Sequence, residues 1–163
     1  MTRRFLVLCL LGYAMVVVQA SIQALLPLRV LVPELGLLVA LYAGLTSQQG
    51  VSGACAVALL LGYVTDLLAG APKGLHAMVF VLACLLAKGA SLRLMFSSSF
   101  ISAIFAFFTS MMCAVLIVAT RAQIDHSTMG PLAIAPVQAL VSAIFAPLVF
   151  GILGRATASR ARA

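Results

Sequence analysis

The sequence predicts an all-α integral membrane protein, a bundle of six transmembrane helices forming one domain over residues 1–163. Hydrophobic residues occupy 64% of the 163 positions and charged residues 8%, with a mean hydropathy of +1.24. Soluble domains have about 45–50% apolar and about 25% charged residues. So few charges cannot cover a water-exposed surface, and the apolar runs are continuous, which favours helices over an alternating β-barrel.

Six apolar runs follow one another along the chain, and about 20 residues cross a bilayer as a helix. The second run opens with Pro33 and Glu34, residues typical of a first helical turn. It has only about 14 residues, which predicts a helix that is tilted, partly buried or set in a thin region of membrane. The sixth contains Pro136 and Pro147, which we expect to kink it. The predicted helices cover about residues 5–28, 33–46, 51–68, 75–92, 100–120 and 131–153.

The basic residues predict the orientation of this bundle. Six spans place both termini on one side, which receives seven basic residues: Arg3, Arg4, Lys88, Arg93, Arg155, Arg160 and Arg162. The other side receives three: Arg29, Lys73 and Arg121. The positive-inside rule therefore predicts cytoplasmic termini. The net charge of +7 is then an orientation signal, because no basic stripe or aromatic platform for nucleic acid is present.

Catalytic, metal and cofactor motifs are not recognisable in the sequence. Each of the four cysteines lies alone in an apolar run, without C-x-x-C spacing, which predicts packing residues. Nucleophile-elbow, P-loop, dinucleotide and H-E-x-x-H patterns are missing. Asp66 is the one aspartate within reach of the membrane core, and an aspartic dyad needs two carboxylates. The sequence therefore predicts a protein that is not an enzyme and holds no cofactor or metal.

Asp66 is the sharpest candidate for a functional residue. Gly62, Asp66 and Gly70 repeat every four residues, so they share a helix face that a neighbouring helix can approach closely. The residues lie toward the outer end of the third helix. Asp66 has two interpretations: it anchors a partner or substrate, or it caps the turn at residues 72–74 or pairs with Lys73.

Other polar residues offer weaker signals. His76 opens the fourth helix and is interpreted as a hydrogen-bonded structural residue, because a proton relay needs several ionisable groups. Gln19 and Gln23 share a face, as do Gln138 and Ser142. These pairs predict interhelical hydrogen bonds of about 0.6 kcal/mol each, although a polar substrate pocket would use the same residue types.

Small residues mark one face of the third helix, at Gly50, Ala54 and Ala58. Such spacing predicts tight helix packing. The neighbour is either another helix of the same bundle or a helix of another protein.

The segment GYVTDLLAGAPKGLHA, from Gly62 to Ala77, resembles the central signature of the rod shape-determining protein MreD family. That signature reads G-x-x-x-D-L-L-x-G-x-P-x-G-L-H. The residues that carry it are Gly62, Asp66, Leu67, Leu68, Gly70, Pro72, Gly74, Leu75 and His76. The segment Pro33-Glu34-Leu35 resembles the P-D-L start of the family's second helix, with Glu34 in place of the usual aspartate.

The resemblance implies a non-enzymatic component of the bacterial cell-elongation machinery in the inner membrane. Such proteins work with MreC and link MreB filaments to the peptidoglycan synthase RodA and its penicillin-binding transpeptidase. The resemblance also implies a fold similar to the S-components of energy-coupling-factor transporters. We therefore expect a scaffold whose outer end is built by Glu34, Asp66 and the turn from Pro72 to His76, and whose small-residue face receives the MreC helix.

The alternative comes from another functional class: a small-solute transporter or an S-component-like substrate-binding protein. It would need a pocket with convergent polar groups. The candidates for that pocket are Gln19, Gln23, Asp66, His76 and Gln138.

Overall fold

The computed structural model describes residues 2–25, 32–46, 50–69, 73–93, 99–125 and 135–159, and nearly all of them are helical. The helices are α1 (Thr2–Leu25), α2 (Leu35–Leu45), α3 (Val51–Ala69), α4 (Leu75–Arg93), α5 (Ser99–Asp125) and α6 (Ala135–Ser159). These ranges contain no strand. The predicted all-α architecture of six helices is confirmed over the described part of the chain.

Four of the described helices are long and apolar enough to cross a membrane. Their apolar spans are Phe5–Leu25, Val51–Ala69, Ala103–Thr120 and Pro136–Thr157. The apolar part of α4, Leu75–Ser91, is shorter, and α2 has 11 residues. At 1.5 Å per residue α2 is about 16 Å long, against a hydrocarbon core of about 30 Å. By itself, α2 therefore reaches across only part of a bilayer.

The short helix α2 lies at the centre of the bundle. It contacts each of the other five helices, and its residues Leu37 to Leu41 are completely buried. A helix that is hydrophobic on all sides is a buried helix. The other five helices therefore surround α2 and carry the surface that faces lipid.

Polar contacts fix the position of α2 along the bundle axis. Near the end of α1, Gln19 Oε1 accepts a hydrogen bond from the Gly36 N–H at 3.3 Å. At the opposite end of α2, the hydroxyl groups of Tyr42 and Thr157 are 3.0 Å apart, and the rings of Tyr42 and Phe150 are 5.8 Å apart. The second helix is thus hydrogen-bonded to α1 where it begins and to α6 where it ends.

The two prolines of α6 occupy different environments. The helix continues through Pro147. Pro136 is the second residue of α6, in its first turn, where a missing N–H removes no intrahelical hydrogen bond. Only Pro147 therefore interrupts the hydrogen-bond pattern of the described helix.

Gly44 allows α2 to contact the backbone of α4. A Cβ atom at this position would lie 2.5 Å from the Cys84 carbonyl oxygen and 2.9 Å from the Ala87 Cβ. We expect Gly44→Ala to lower the free energy of unfolding by about 1–3 kcal/mol, as overpacking does. Thermal unfolding of the purified protein in detergent measures this loss.

Gly151→Ala is the matched control, because a Cβ atom there meets nothing within 4 Å. We expect it to be neutral or to add up to about 1 kcal/mol through helix propensity. Equal stability of the two variants would contradict the close packing of α2 on α4.

Candidate functional site at one end of the bundle

Two polar groups lie at the end of the bundle where α1 and α3 finish and α2 and α4 begin. The first, the Asp66 cap, consists of Asp66 and the chain from Gly74 to Ala77. The second, the Glu34 junction, consists of Gln19, Glu34, Gln138 and Ser142. Both bring together polar residues that the sequence singled out.

The Asp66 carboxylate caps the first turn of α4 from the neighbouring helix α3. Its Oδ2 accepts hydrogen bonds from the N–H groups of Gly74 at 2.8 Å and Ala77 at 3.4 Å. Its Oδ1 accepts the His76 N–H at 3.0 Å and lies 2.7 Å from His76 Nδ1. The first N–H groups of a helix have no intrahelical acceptor, and a negative charge there also complements the helix dipole.

This geometry supports the structural interpretation of Asp66. Its side chain is fully buried, and its Oδ1 lies 2.7 Å from His76 Nδ1. Lys73, the partner considered from the sequence, is exposed. The carboxylate of the signature and the histidine that ends it therefore contact each other directly.

The signature glycines make this cap possible. A Cβ atom at Gly62 would lie 2.4 Å from the Ala77 Cα and 2.6 Å from its nitrogen, so the backbones of α3 and α4 touch there. Gly74 has φ of +95°, a conformation that glycine adopts without steric cost. Its carbonyl accepts the Met78 N–H at 2.9 Å. Gly70 and Pro72 lie outside the described residues.

The Glu34 junction joins the start of α2 to α6. The Glu34 N–H donates to Ser142 Oγ at 3.1 Å, and Gln138 Nε2 donates to Glu34 Oε1 at 3.2 Å. Glu34 is the N-cap residue of α2, but its side chain makes no capping hydrogen bond there. Helix α2 therefore begins at Leu35, two residues after the predicted start, and the carboxylate is directed to α6.

One oxygen of Glu34 is unusual. Although the residue keeps some exposed surface, Oε2 is buried and has no hydrogen-bond partner among the described residues. Glu34 lies in the connection before α2, outside the helical spans. Burial raises the pKa of its carboxyl to about 7, because the charged form is poorly solvated.

The two polar groups share one end of the bundle, and the Phe80 ring contacts the Asp66 cap and the start of α2. The edge of the Phe80 ring lies 3.0 Å from a Cβ atom built at Gly36. The same ring lies 6.3 Å from the His76 ring and is perpendicular to it. An aromatic side chain thus connects the Asp66 cap to the start of α2 through apolar contact.

The comparisons with known proteins agree with the signature. A model of the rod shape-determining protein MreD family matches residues 1–155 of the 163-residue chain. The chain belongs to the MreD family. No curated protein and no solved structure matches it, so the similarity to S-components stays a prediction.

Membership of the MreD family confirms the resemblance and identifies a rod shape-determining membrane protein. This family is known for a structural role in shape determination and is not a known enzyme family. The polar contacts of the Asp66 cap are therefore interpreted as the internal support of a structural membrane protein.

The small residues of α3 pack inside this MreD-family bundle. Ala54 and Ala58 are buried at 1% and 0% exposure, whereas Gly50 is exposed at the start of the helix. The face that carries Ala54 and Ala58 is covered by helices of the same chain. A partner helix therefore has to meet a different surface of α3.

Two glycines of α2 that the sequence did not single out allow close helix packing. A Cβ atom at Gly36 would lie 2.9 Å from Val16 Cγ2, and Gly44 meets the α4 backbone. Both glycines lie in the short apolar run, eight residues apart and near one face of the helix. That spacing is the signal that could have revealed close packing on both ends of α2.

Asp66→Asn tests the cap. One oxygen would become an NH₂ group directed at backbone N–H donors, so we expect a loss of about 3 kcal/mol, as for buried hydrogen bonds to a charged group. Thermal unfolding in detergent measures the loss.

Thr65→Ala is the control, since the Thr65 hydroxyl donates to the Leu61 carbonyl of its own helix. If both variants unfold at the wild-type temperature, Asp66 does not cap α4.

Proposed function

We propose that this chain is a non-enzymatic membrane scaffold of the bacterial cell-elongation complex. It binds MreC in the inner membrane and so links MreB to peptidoglycan synthesis by RodA and its penicillin-binding transpeptidase. Both chain termini lie in the cytoplasm, as the distribution of basic residues predicts. The supporting observation is an MreD-family bundle whose polar side chains bind one another and whose outer surface is apolar.

The internal hydrogen bonds favour a scaffold over a solute transporter. Asp66 and His76 bind each other and the start of α4. Gln19 binds the Gly36 N–H, and Gln138 binds Glu34. A solute could use these groups only by replacing hydrogen bonds that already exist, which gains little free energy.

The outer surface offers apolar ridges to a transmembrane helix. Large apolar side chains are exposed on α1, α3, α4, α5 and α6, for example Leu10, Tyr63, Met78, Phe108 and Ile144. On α3, the side chains of Leu59, Tyr63 and Leu67 are spaced by four residues and share a face, with exposures of 53%, 45% and 56%. We call this set the α3 ridge.

The α3 ridge is the surface that we assign to the MreC helix. It belongs to the helix that the Asp66 cap and Gly62 hold against α4, so its position relative to the bundle is fixed. Helices associate in lipid mainly through van der Waals packing and a few hydrogen bonds. The apolar side chains of the ridge supply the packing, and the Tyr63 hydroxyl can supply a hydrogen bond.

Photo-crosslinking tests this docking face. A photoreactive amino acid at position 59, 63 or 67 should give an adduct with MreC in membranes. The same amino acid at Leu10, which is exposed on α1, is the negative control. Adducts at Phe108 on α5 with none on α3 would reject the ridge, and no adduct at any exposed position would count against MreC binding.

Depletion tests the function itself. We expect cells to lose their rod shape as the protein is depleted and to recover with the wild-type chain. The Asp66→Asn variant should restore rod shape in proportion to the amount of the variant present in the membrane, since we assign Asp66 a structural role. Normal shape after depletion, together with a small molecule that stays bound to the purified protein in native mass spectrometry, would favour the transporter instead.

A further inference from the structure

We propose that Glu34 holds a proton in the folded protein, and that this proton controls how tightly α2 closes against α6. The ligand of this site is the proton itself. The inference does not depend on the proposed scaffold function, because it concerns the Glu34 junction and not the α3 ridge.

Because of the position of Glu34, the protonation state of its carboxyl group affects the contacts between several helices. Its backbone binds Ser142 of α6, and two residues later Gly36 binds Gln19 of α1. From α5, Cys113 lies within electrostatic range of the carboxyl group. Glu34 therefore occupies the point where the buried central helix begins and where three surrounding helices meet it.

The hydrogen bonds of the two buried carboxyl groups differ sharply. An ionised carboxylate offers about four acceptor positions. Asp66 receives three backbone N–H groups and a histidine ring. Glu34 receives one amide, from Gln138, and its Oε2 is buried without a partner among the described residues.

The groups that face Glu34 from the described helices do not compensate a negative charge. Gln19 on α1 and Gln138 and Ser142 on α6 are uncharged, and Cys113 on α5 is a thiol. An ionised group buried without a counter-charge is strongly disfavoured. The closed contact between α2 and α6 at the Glu34 junction therefore fits a neutral Glu34 carboxylic acid. Ionisation of this group would draw water to Oε2.

Water at Oε2 would loosen the contact between α2 and α6. A ligand that binds one conformation preferentially shifts the equilibrium toward it. Proton binding at Glu34 thus favours the closed conformation.

Infrared spectroscopy of the full-length chain in detergent tests proton binding directly. The sequence contains only three acidic side chains, so the carbonyl stretch of a protonated carboxylic acid is readily assigned. We expect this band at about pH 6, where ordinary carboxyl groups are ionised, and its loss at alkaline pH. Glu34→Gln should remove it, and the matched control Asp125→Asn should retain it; a band that survives in Glu34→Gln would overturn the proposal.

Stability against pH supplies the second measurement. The pKa of Glu34 is raised from 4.5 to about 7 in the folded state, so the folded chain binds a proton that the unfolded chain has lost within this window. Proton binding at Glu34 therefore stabilises the folded state fully below pH 4.5, and this stabilisation is lost as the pH rises through about 7. The ratio of folded to unfolded protein should fall by on the order of a hundredfold between these two pH values.

Glu34→Gln should lack this fall, because glutamine imitates the neutral acid. The other titratable groups are common to both proteins, so the difference between their pH profiles isolates Glu34. Identical pH dependence of the wild type and Glu34→Gln would overturn the proposal. Failure of Glu34→Gln to fold would also overturn it, since a neutral side chain at this position is then insufficient.

Discussion

The start of α4 imposes the strictest requirement on the bundle. Its first N–H groups emerge next to α3, in a protein whose surroundings are lipid and whose backbone groups must be satisfied internally. Asp66 supplies the acceptors from another helix, and Gly62 removes the side chain that would keep the two backbones apart. The charge and the hydrogen-bond acceptors at the start of α4 therefore come from Asp66, and the close packing comes from Gly62, about one helical turn away.

The central position of α2 follows from a related constraint. Because α2 is short and apolar on all sides, it is stable only when the longer helices enclose it. Gly36 and Gly44 let those helices approach, while Gln19 and Thr157 satisfy polar groups near its two ends. The long helices are then free to expose apolar side chains to lipid or to a partner.

The local parts of this arrangement were predictable from the sequence, whereas the distant contacts were not. The spacing of Gly62 and Asp66, with a short turn after them, placed a carboxylate beside the start of α4. Gln138 and Ser142 were expected to share a face, but their contact with Glu34 spans more than a hundred residues and has no local signal. The small-residue pattern at Ala54 and Ala58 could not reveal whether the neighbouring helix belonged to the same chain.

The two buried carboxyl groups show why similar side chains can have opposite consequences in one bundle. Asp66 is surrounded by donors, so its negative charge strengthens the contact between α3 and α4. Glu34 has one amide donor among the described residues, and its buried Oε2 has no hydrogen-bond partner there. A negative charge on Glu34 would therefore weaken the contact between α2 and α6. The number of donors around each carboxyl group, and not the residue type, therefore separates a fixed helix pair from one that can respond to its surroundings.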